Sequence, residues 1–288
     1  MTPIDFSCAA ARHIHEECGV FGIFSPESTQ LAPLMYYGLY SLQHRGQESA
    51  GIVINDDGVF TSYRDVGLVN DVFSQQRLRE LGSGSIAVGH VRYATTGSDH
   101  KNNLQPLIIN HHKGRMALAH NGNLVNSMEL RKKLEERGSI FHTTTDSEVI
   151  AYMIVQERLR RPSIEAAVSA VMDTLIGAYS LVISSPTKLI AARDPHGFRP
   201  LCMGRRRDGM IVFSSESCAL DAVGAEFERD LLPGEVLTVD ATGIRSDRSH
   251  CGKAKRSLCV FEYIYFARPD SVIDGCSVCL ARNRAGAF

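Results

Sequence analysis

Residues 13–24 of the sequence read HIHEECGVFGIF and place a cysteine between a polar stub and an apolar run. The run from Gly19 to Phe24 contains the Val, Ile and Phe residues that favour a β-strand. Cys18 therefore stands at the start of a predicted strand, directly after two glutamates. Because the chain contains eight cysteines, the presence of a thiol proves little, and the question is why this one occupies that position.

The composition is that of an ordinary globular protein, with 44% hydrophobic and 22% charged residues in a chain of 288. A net charge of -1 gives no field that would steer nucleic acid or anionic lipid, so we expect no nucleic-acid partner. No apolar run reaches the ~20 residues of a membrane span, and residues 1–18 lack the pattern of a signal peptide. We therefore expect a cytoplasmic protein without a membrane partner, whose cysteines stay reduced.

Short apolar runs separated by turn residues predict strands, and longer segments with helical spacing or capping residues predict helices. The predicted strands cover residues 19–24, 49–55, 59–65, 85–94, 114–122, 178–185, 188–195, 210–217 and 234–244, and the predicted helices cover 31–46, 145–161, 163–177 and 216–224. The first helix is expected to end at Gly46, and the second to begin with a capping box from Thr145 to Glu148. Strands and helices in separate blocks predict an α+β fold. The segment from Leu258 onward reads as a strand that then loses its pattern.

The C-terminal cysteines suggest a metal site as one alternative. Cys276 and Cys279 form a C-x-x-C pair, with Cys251 and Cys259 upstream, and four thiolates can hold zinc or an iron–sulfur cluster. The uneven spacing of the two pairs weighs against such a site. Cys259 also lies in an apolar run, where a cysteine often serves as a small core residue.

Four polar segments carry more information, because each ends a strand or begins a helix. These segments are QHRGQES (43–49), HVRYATTG (90–97), AHNGNL (119–124) and TTDSE (144–148). Polar side chains beside glycine suit ligand contact at such points, although turn chemistry alone explains each segment taken separately. Arg92 is harder to explain as a turn residue, because it lies within a predicted strand.

Taken together, these segments indicate chemistry on an amino acid. Arg92 and Asp146 suit the carboxylate and the ammonium group of such a substrate. The Asn121–Gly122 pair can supply amide donors to a developing oxyanion. With Cys18 as the nucleophile, the set predicts thiol-dependent amide hydrolysis.

The thiol needs a base, and no histidine has an obvious relation to Cys18 in the sequence. His90 and His120 remain candidates only if the fold brings them close. The alternative is the α-amino group of Cys18 itself, which titrates near pH ~8 and lies on the nucleophilic residue. That alternative requires removal of residues 1–17, which we interpret as a propeptide.

Eight motifs give the chain a resemblance to the amidophosphoribosyltransferase family, whose members make phosphoribosylamine for purine synthesis. The motifs are EECGVFGIF (16–24), LQHRGQESAGI (42–52), VGHVRYATTG (88–97), AHNGNLVN (119–126), TTDSEVI (144–150), RDPHGFRPL (193–201), SSESCALD (214–221) and FEYIYFARPDS (261–271). The resemblance implies a four-layer αββα N-terminal-nucleophile (Ntn) hydrolase fold, with two antiparallel sheets between helical layers. It also implies a glutaminase domain over residues 18–258, with residues 259–288 beginning a second domain or a linker.

The resemblance implies roles for particular residues of the motifs. Cys18 is the nucleophile, Asn121 and Gly122 form the oxyanion hole, and Arg92 and Asp146 bind the carboxylate and amine of glutamine. The glutamine pocket and its lid are implied to contain Arg45, Gly46, Tyr93 and Thr95.

The chain departs from the family in two respects. It lacks the acidic loop of the phosphoribosyltransferase half, so phosphoribosylpyrophosphate is expected to bind only through a missing domain. Mg²⁺ and a 4Fe–4S cluster are implied for the full-length enzyme of the propeptide-containing branch. Cys259 resembles the first cluster ligand, whereas Cys276 and Cys279 match no family position. The family also implies a homo-oligomer.

Three other interpretations stay open from the sequence. The chain could be the glutaminase part of another amidotransferase, although DPHGFRPL weighs against that. It could be a non-catalytic remnant or regulatory partner, or a metal-binding module that uses its C-terminal cysteines.

Overall fold

A computed structural model describes residues 18–93 and 101–287 of the chain. The predicted propeptide, residues 1–17, and the predicted lid residue Thr95 lie outside the described residues. The described part consists mainly of two antiparallel sheets stacked face to face, with helices on the outer face of each. This is the α+β sandwich that the motifs predict.

The first sheet has seven strands and contains the strand that follows Cys18. Its spatial order is β11–β9–β10–β1–β4–β2–β3. The strands are β1 (Gly19–Thr29), β2 (Ser49–Asp56), β3 (Val59–Val66), β4 (Gly84–Arg92), β9 (Cys202–Arg206), β10 (Ile211–Ser214) and β11 (Ala225–Asp230).

The second sheet has six strands and contains the Asn–Gly pair. Its order is β13–β12–β8–β7–β6–β5. The strands are β5 (Leu107–His111), β6 (Gly114–Leu124), β7 (Gly177–Ser184), β8 (Leu189–Arg193), β12 (Val236–Asp240) and β13 (Gly243–Asp247).

The helices form the two outer layers. On the first sheet lie α1 (Ala32–Ser41), α2 (Val69–Val72), α3 (Gln75–Glu80) and α7 (Ser217–Ala222), and on the second sheet lie α4 (Ser127–Glu135), α5 (Asp146–Arg160) and α6 (Ile164–Met172). None of the helices in the described part combines the length and apolar character needed to span a bilayer.

Strand β1 shows how the sequence builds these layers. Its side chains alternate, so that Val20 and Phe24 pack between the two sheets while Phe21 and Ile23 pack under the helices. Gly38 of α1 gives Phe21 this close approach, since a Cβ at position 38 would lie 2.3 Å from the Phe21 ring. Because β1 is buried on both faces, it reads as a continuous apolar run.

The prediction for the C-terminal segment, which we define as residues 257–287, was wrong. Instead of a strand, it forms a π-helical turn at Glu262–Phe266, the short hairpin strands β14 (Val272–Ile273) and β15 (Cys276–Ser277), and the helix α8 (Val278–Ala285). The buried residues Glu262 and Phe266 are four positions apart, which is the spacing of one helical face. The aromatic residues of the segment had favoured a strand. The domain boundary after residue 258 stays a prediction.

Two local predictions were also wrong in mechanism. Helix α5 does follow Thr145, but neither half of the capping box forms: the Thr145 side chain accepts no capping bond, and the Glu148 carboxylate accepts from the backbone N–H groups of His142 and Thr143 rather than from that of Thr145. The first helix ends at Ser41 rather than at Gly46, a 3₁₀ turn follows at Gln43–Arg45, and Gly46 is extended rather than left-handed. A Cβ there would lie 2.5 Å from the backbone nitrogen of Arg92, so glycine is needed for close packing.

Candidate active site

Cys18 is buried at the start of β1, with 8% of its surface exposed. The next residue, Gly19, pairs with Val91 of β4, so Cys18 lies beside the strand end that carries Arg92. The guanidinium of Arg45 donates from Nε to the Cys18 carbonyl oxygen at 2.9 Å. The fold therefore places the predicted nucleophile next to two of the arginines that the motifs single out.

Arg92 is the last residue of β4 and is 8% exposed. Its Nη1 donates to the carbonyl oxygen of Asn103 at 3.2 Å. The Nδ2 of Asn103 in turn donates to Thr144 Oγ1 at 2.9 Å, and the Oδ1 of Asn103 accepts from the backbone N–H of Thr144 at 3.2 Å. Thr144 lies two positions before Asp146, so these bonds connect the predicted carboxylate-binding residue to the predicted amine-binding residue. Tyr93 follows Arg92 and is 52% exposed.

Asp146 is the first residue of α5, where the helix dipole favours a negative charge. Its Oδ2 accepts from the backbone N–H of Leu124 at 2.8 Å, and its Oδ1 lies 3.6 Å from His120 Nδ1. Burial raises the pKa of the Asp146 carboxyl, but His120 and the N–H groups of Leu124 and Ser147 outweigh burial and hold the pKa below its usual range. A carboxylate at this position suits a substrate ammonium group.

Asn121 and Gly122 lie in β6, on the other sheet. Asn121 is completely buried, and neither Oδ1 nor Nδ2 of its side chain has a hydrogen-bond partner among the described residues. Such an arrangement is costly, since buried amides are normally satisfied. Gly122 has a φ of 148°, and a Cβ there would lie 2.0 Å from the carbonyl oxygen of Ala178, so no other residue fits.

A histidine pair joins the two sheets at this end of the sandwich. His90 of β4 pairs with Val20 of β1, and its Nε2 donates to the carbonyl oxygen of His120 at 3.0 Å. His120 directly precedes Asn121, so this bond connects β4, the neighbour of β1, to the strand that carries the Asn–Gly pair. Burial, with smaller contributions from Arg92 and His120, lowers the pKa of His90 to about 3. His90 is therefore neutral and serves here as a hydrogen-bond donor.

A buried polar network surrounds His120 and was not predicted from the sequence. The Nδ1 of His120 lies 3.0 Å from Ser147 Oγ, and its backbone N–H donates to Gln105 Oε1 at 2.8 Å. Gln105 also donates from Nε2 to Ser147 Oγ at 3.1 Å. Histidine beside Asn–Gly and serine beside Asp146 were visible signals, whereas Gln105 lies in a loop whose packing no local pattern reports.

Arg45 and Gly46 were predicted to line the glutamine pocket, and in the structure they contact the backbone at Cys18 and Arg92, respectively. Arg45 is 1% exposed and bonds to Cys18, Glu216 and Glu262. Gly46 packs against the backbone of Arg92. Direct contact of either residue with glutamine stays a prediction.

The described residues contain no preformed metal site. Across residues 18–93 and 101–287, no group of three or more His, Cys, Asp or Glu side chains is arranged to hold a metal ion. Cys259 is half-buried, and Cys276 and Cys279 flank the start of α8 as thiols without a disulfide.

Comparison with known proteins identifies relatives of this chain. A family model described as a glutamine amidotransferase domain matches residues 90–222. The amidophosphoribosyltransferase of Methanocaldococcus jannaschii is 46% identical over 283 residues, which is 93% of this chain and 60% of that protein. The Bacillus subtilis amidophosphoribosyltransferase is 44% identical over 279 residues, or 96% of this chain and 57% of that protein.

By sequence, this chain is homologous to the amidophosphoribosyltransferases. A solved structure described as the allosteric regulatory enzyme of purine biosynthesis superposes with a TM-score of 0.87 at 44% identity, covering 93% of this chain and 57% of that one. The glutamine phosphoribosylpyrophosphate amidotransferase from B. subtilis, complexed with ADP and GMP, superposes with a TM-score of 0.85 at 45% identity, with the same coverage. The homology and these superpositions confirm the predicted resemblance to this family and the predicted Ntn sandwich fold.

The chain spans roughly half of the length of the curated relatives that it matches, from 47% to 60%. A class-II glutamine aminotransferase domain protein from Silicibacter pomeroyi is matched over 98% of its own length, with a TM-score of 0.53 and 17% identity. That likeness shows a shared fold.

Proposed function

We propose that this chain is the glutamine-hydrolysing part of an amidophosphoribosyltransferase, in which Cys18 releases ammonia from the side-chain amide of glutamine. In a complete enzyme the ammonia would pass to phosphoribosylpyrophosphate to give phosphoribosylamine. The whole enzyme would act in purine synthesis, as the names of the relatives suggest.

The observation that carries the proposal is the pair of unpartnered amide atoms on Asn121. The side chain is fully buried at the end of the sandwich where β1 begins, and its Nδ2 has no acceptor among the described residues. A donor held ready in a dry site is what an oxyanion needs, because its dipole is already oriented when the charge develops. Stability alone gives no reason for such an amide.

The proposed reaction gives each of these residues one role. Arg92 binds the α-carboxylate of glutamine, and Asp146 binds its α-ammonium group. The Cys18 thiol attacks the side-chain amide carbon while Asn121 and Gly122 stabilise the oxyanion. Ammonia leaves with a proton from the base, and water then hydrolyses the γ-glutamyl thioester to release glutamate and regenerate the thiol.

The proposed base is the α-amino group of Cys18, which becomes available after cleavage of the Glu17–Cys18 bond. Of the two histidines named from the sequence, His90 donates to a carbonyl oxygen and is neutral, and the Nδ1 of His120 lies against Ser147, while the buried Nε2 of His120 has no partner among the described residues. The amine is proposed ahead of His120 because it lies on the nucleophilic residue itself and titrates near pH ~8.

The experiment that tests the proposal compares a chain that begins at Cys18 with one that retains residues 1–17. Both are incubated with glutamine, and released glutamate and ammonia are measured. We expect release by the chain that begins at Cys18 and none by the longer chain while intact mass shows it uncleaved. A chain with an exposed Cys18 amine that releases nothing would instead favour a non-catalytic partner.

Asp146→Asn should weaken glutamine binding, because the variant removes the negative charge that faces the substrate ammonium group. We expect KM for glutamine to rise at least ~10-fold, as for loss of a charge-assisted hydrogen bond, with a smaller change in kcat. Steady-state glutaminase assays check this. Asp173→Asn is a matched control, since Asp173 also binds a histidine, His250, at 2.9 Å but lies beyond the end of α6. A KM unchanged by Asp146→Asn would contradict the assigned role.

A further inference from the structure

Arg45 adjoins the proposed nucleophile, and two carboxylates hold its guanidinium. Its Nη1 donates to Oε1 of Glu216 at 2.6 Å and to Oε2 of Glu262 at 2.9 Å. Its Nη2 donates to Oε1 of Glu262 at 2.9 Å. All three side chains have no solvent exposure. The backbone of Cys18 is therefore bonded to a buried cation whose own position depends on two glutamates.

Both glutamates are in turn tied to the C-terminal segment. Glu262 belongs to that segment, and Arg199 also donates to its Oε1 at 3.2 Å. The Oε2 of Glu216 accepts from the backbone N–H of Arg268 at 2.9 Å and from Ser271 Oγ at 2.7 Å. The C-terminal segment thus supplies one of the two carboxylates that bind Arg45, Glu262, and it holds the other, Glu216, by two hydrogen bonds.

The geometry of this ion pair is directional. A guanidinium that meets a carboxylate through two parallel bonds has its plane fixed by that carboxylate. With the plane of Arg45 fixed by Glu262, its Nε points at the Cys18 carbonyl oxygen. Fixing that carbonyl also fixes the Cα of Cys18, from which both the thiol and the amino group extend.

We infer that Glu262 is a positioning residue for the proposed glutamine hydrolysis: through Arg45 it orients Cys18, so the glutaminase site depends on the C-terminal segment. The inference rests on the proposed function, because it concerns the nucleophile of that reaction. It also gives a common role to segments of four motifs, QHRGQ (43–47), DPHGFRPL (194–201), SSESCALD (214–221) and FEYIYFARPDS (261–271), which meet around this guanidinium.

The test is Glu262→Gln in the chain that begins at Cys18. The variant keeps the shape of the side chain and removes its charge. We expect kcat for glutamine hydrolysis to fall ~10- to 100-fold, as a small misplacement of a reacting group does. KM should change less than ~3-fold, because Arg92 and Asp146 retain the contacts on which substrate binding depends.

A pH profile separates this role from a merely structural one. Loss of a negative charge near the Cys18 amine favours the neutral form of the amine. The acid limb of kcat/KM should therefore move to lower pH, by about half a unit or more for a partly screened charge. Glu262→Asp, which keeps the charge but withdraws the carboxylate by one methylene group, should lower kcat without moving the acid limb.

Glu235→Gln is the matched control for general damage. Glu235 is also fully buried and meets Arg229 through two bonds of 2.8 Å, but it lies at the start of β12 on the other sheet. We expect a comparable fall in the unfolding temperature, with kcat and the pH profile unchanged at a temperature where the variant is folded.

The inference is overturned if Glu262→Gln folds and has the same kcat as Glu235→Gln, with the acid limb of kcat/KM at the same pH. Should Glu262→Gln not fold, an unchanged kcat in Glu262→Asp overturns it in the same way. Failure of the unsubstituted chain to hydrolyse glutamine is a different result, since it counts against the proposed function itself.

Discussion

Replacement of Cys18 by alanine should abolish ammonia release from glutamine. The thiol is the only group in the proposed reaction that forms a covalent bond to the substrate, and loss of such a nucleophile in other hydrolases costs ~10⁶-fold in kcat. We expect residual turnover below ~10⁻⁴ of the unsubstituted rate, with the fold intact because the Cys18 side chain is small. The measurement is glutamate formation at saturating glutamine, with circular dichroism to check folding.

Cys202→Ala provides the control for loss of a buried thiol. Cys202 is 1% exposed in β9, and burial raises the pKa of its thiol well above the usual range, so it is an inert core residue. Its replacement should lower stability by about 1 kcal/mol, as for a small loss of buried volume, and leave turnover unchanged.

An electrophilic glutamine analogue extends the test to the reactivity of the thiol. Intact mass should show one adduct, on Cys18, in a chain that begins at that residue, and no adduct in Cys18→Ala. Labelling of Cys18→Ala at the same rate, or turnover by that variant, would remove Cys18 from the mechanism.

The residues of the proposed site could be predicted because each lies in a short motif at the end of an element. Cys18 precedes a strand, Arg92 ends one, Asn121 lies in a third and Asp146 begins a helix. The elements themselves followed from apolar runs and helix-terminus signals: β1 begins at the predicted Gly19 but extends to Thr29 rather than Phe24, and α5 (Asp146–Arg160) lies within the predicted 145–161. The distances between these residues could not be predicted, because no local pattern shows that β1 lies between β4 and β10 or that β4 and β6 face each other.

The support of the site was beyond prediction because its contacts join distant parts of the chain. Arg45 and Glu262 are 217 positions apart, and neither has a sequence signature of burial. Charged residues are usually exposed, so a single sequence favours the wrong environment for both. The wrong strand prediction for the C-terminal segment has the same cause. Glu262 and Phe266 are buried with helical spacing, but a glutamate is not expected to be buried, so the sequence does not reveal this spacing.

Asn121→Ala should have the second-largest effect on turnover. The variant removes a preoriented donor to the oxyanion while Gly122 retains its backbone N–H, and loss of one such donor typically lowers kcat ~10²- to 10³-fold. KM for glutamine should change little, because the oxyanion forms only after binding. Steady-state assays of the chain that begins at Cys18 measure both quantities.

Asn55→Ala makes this prediction specific, because the two asparagines are equally buried and differ in their bonding. The Nδ2 of Asn55 donates to Ser184 Oγ at 3.0 Å and to the Ser185 carbonyl oxygen at 2.7 Å. Removing these bonds leaves buried groups unsatisfied, so Asn55→Ala should lower the free energy of unfolding by about 1–3 kcal/mol while kcat is retained. The Asn121 amide has no such partners to lose among the described residues, so its removal should cost less stability. A large loss of stability with unchanged kcat in Asn121→Ala would show that the Asn121 amide serves the core. A lower kcat with little loss of stability in Asn121→Ala, together with the reverse in Asn55→Ala, would assign the Asn121 amide to the reaction.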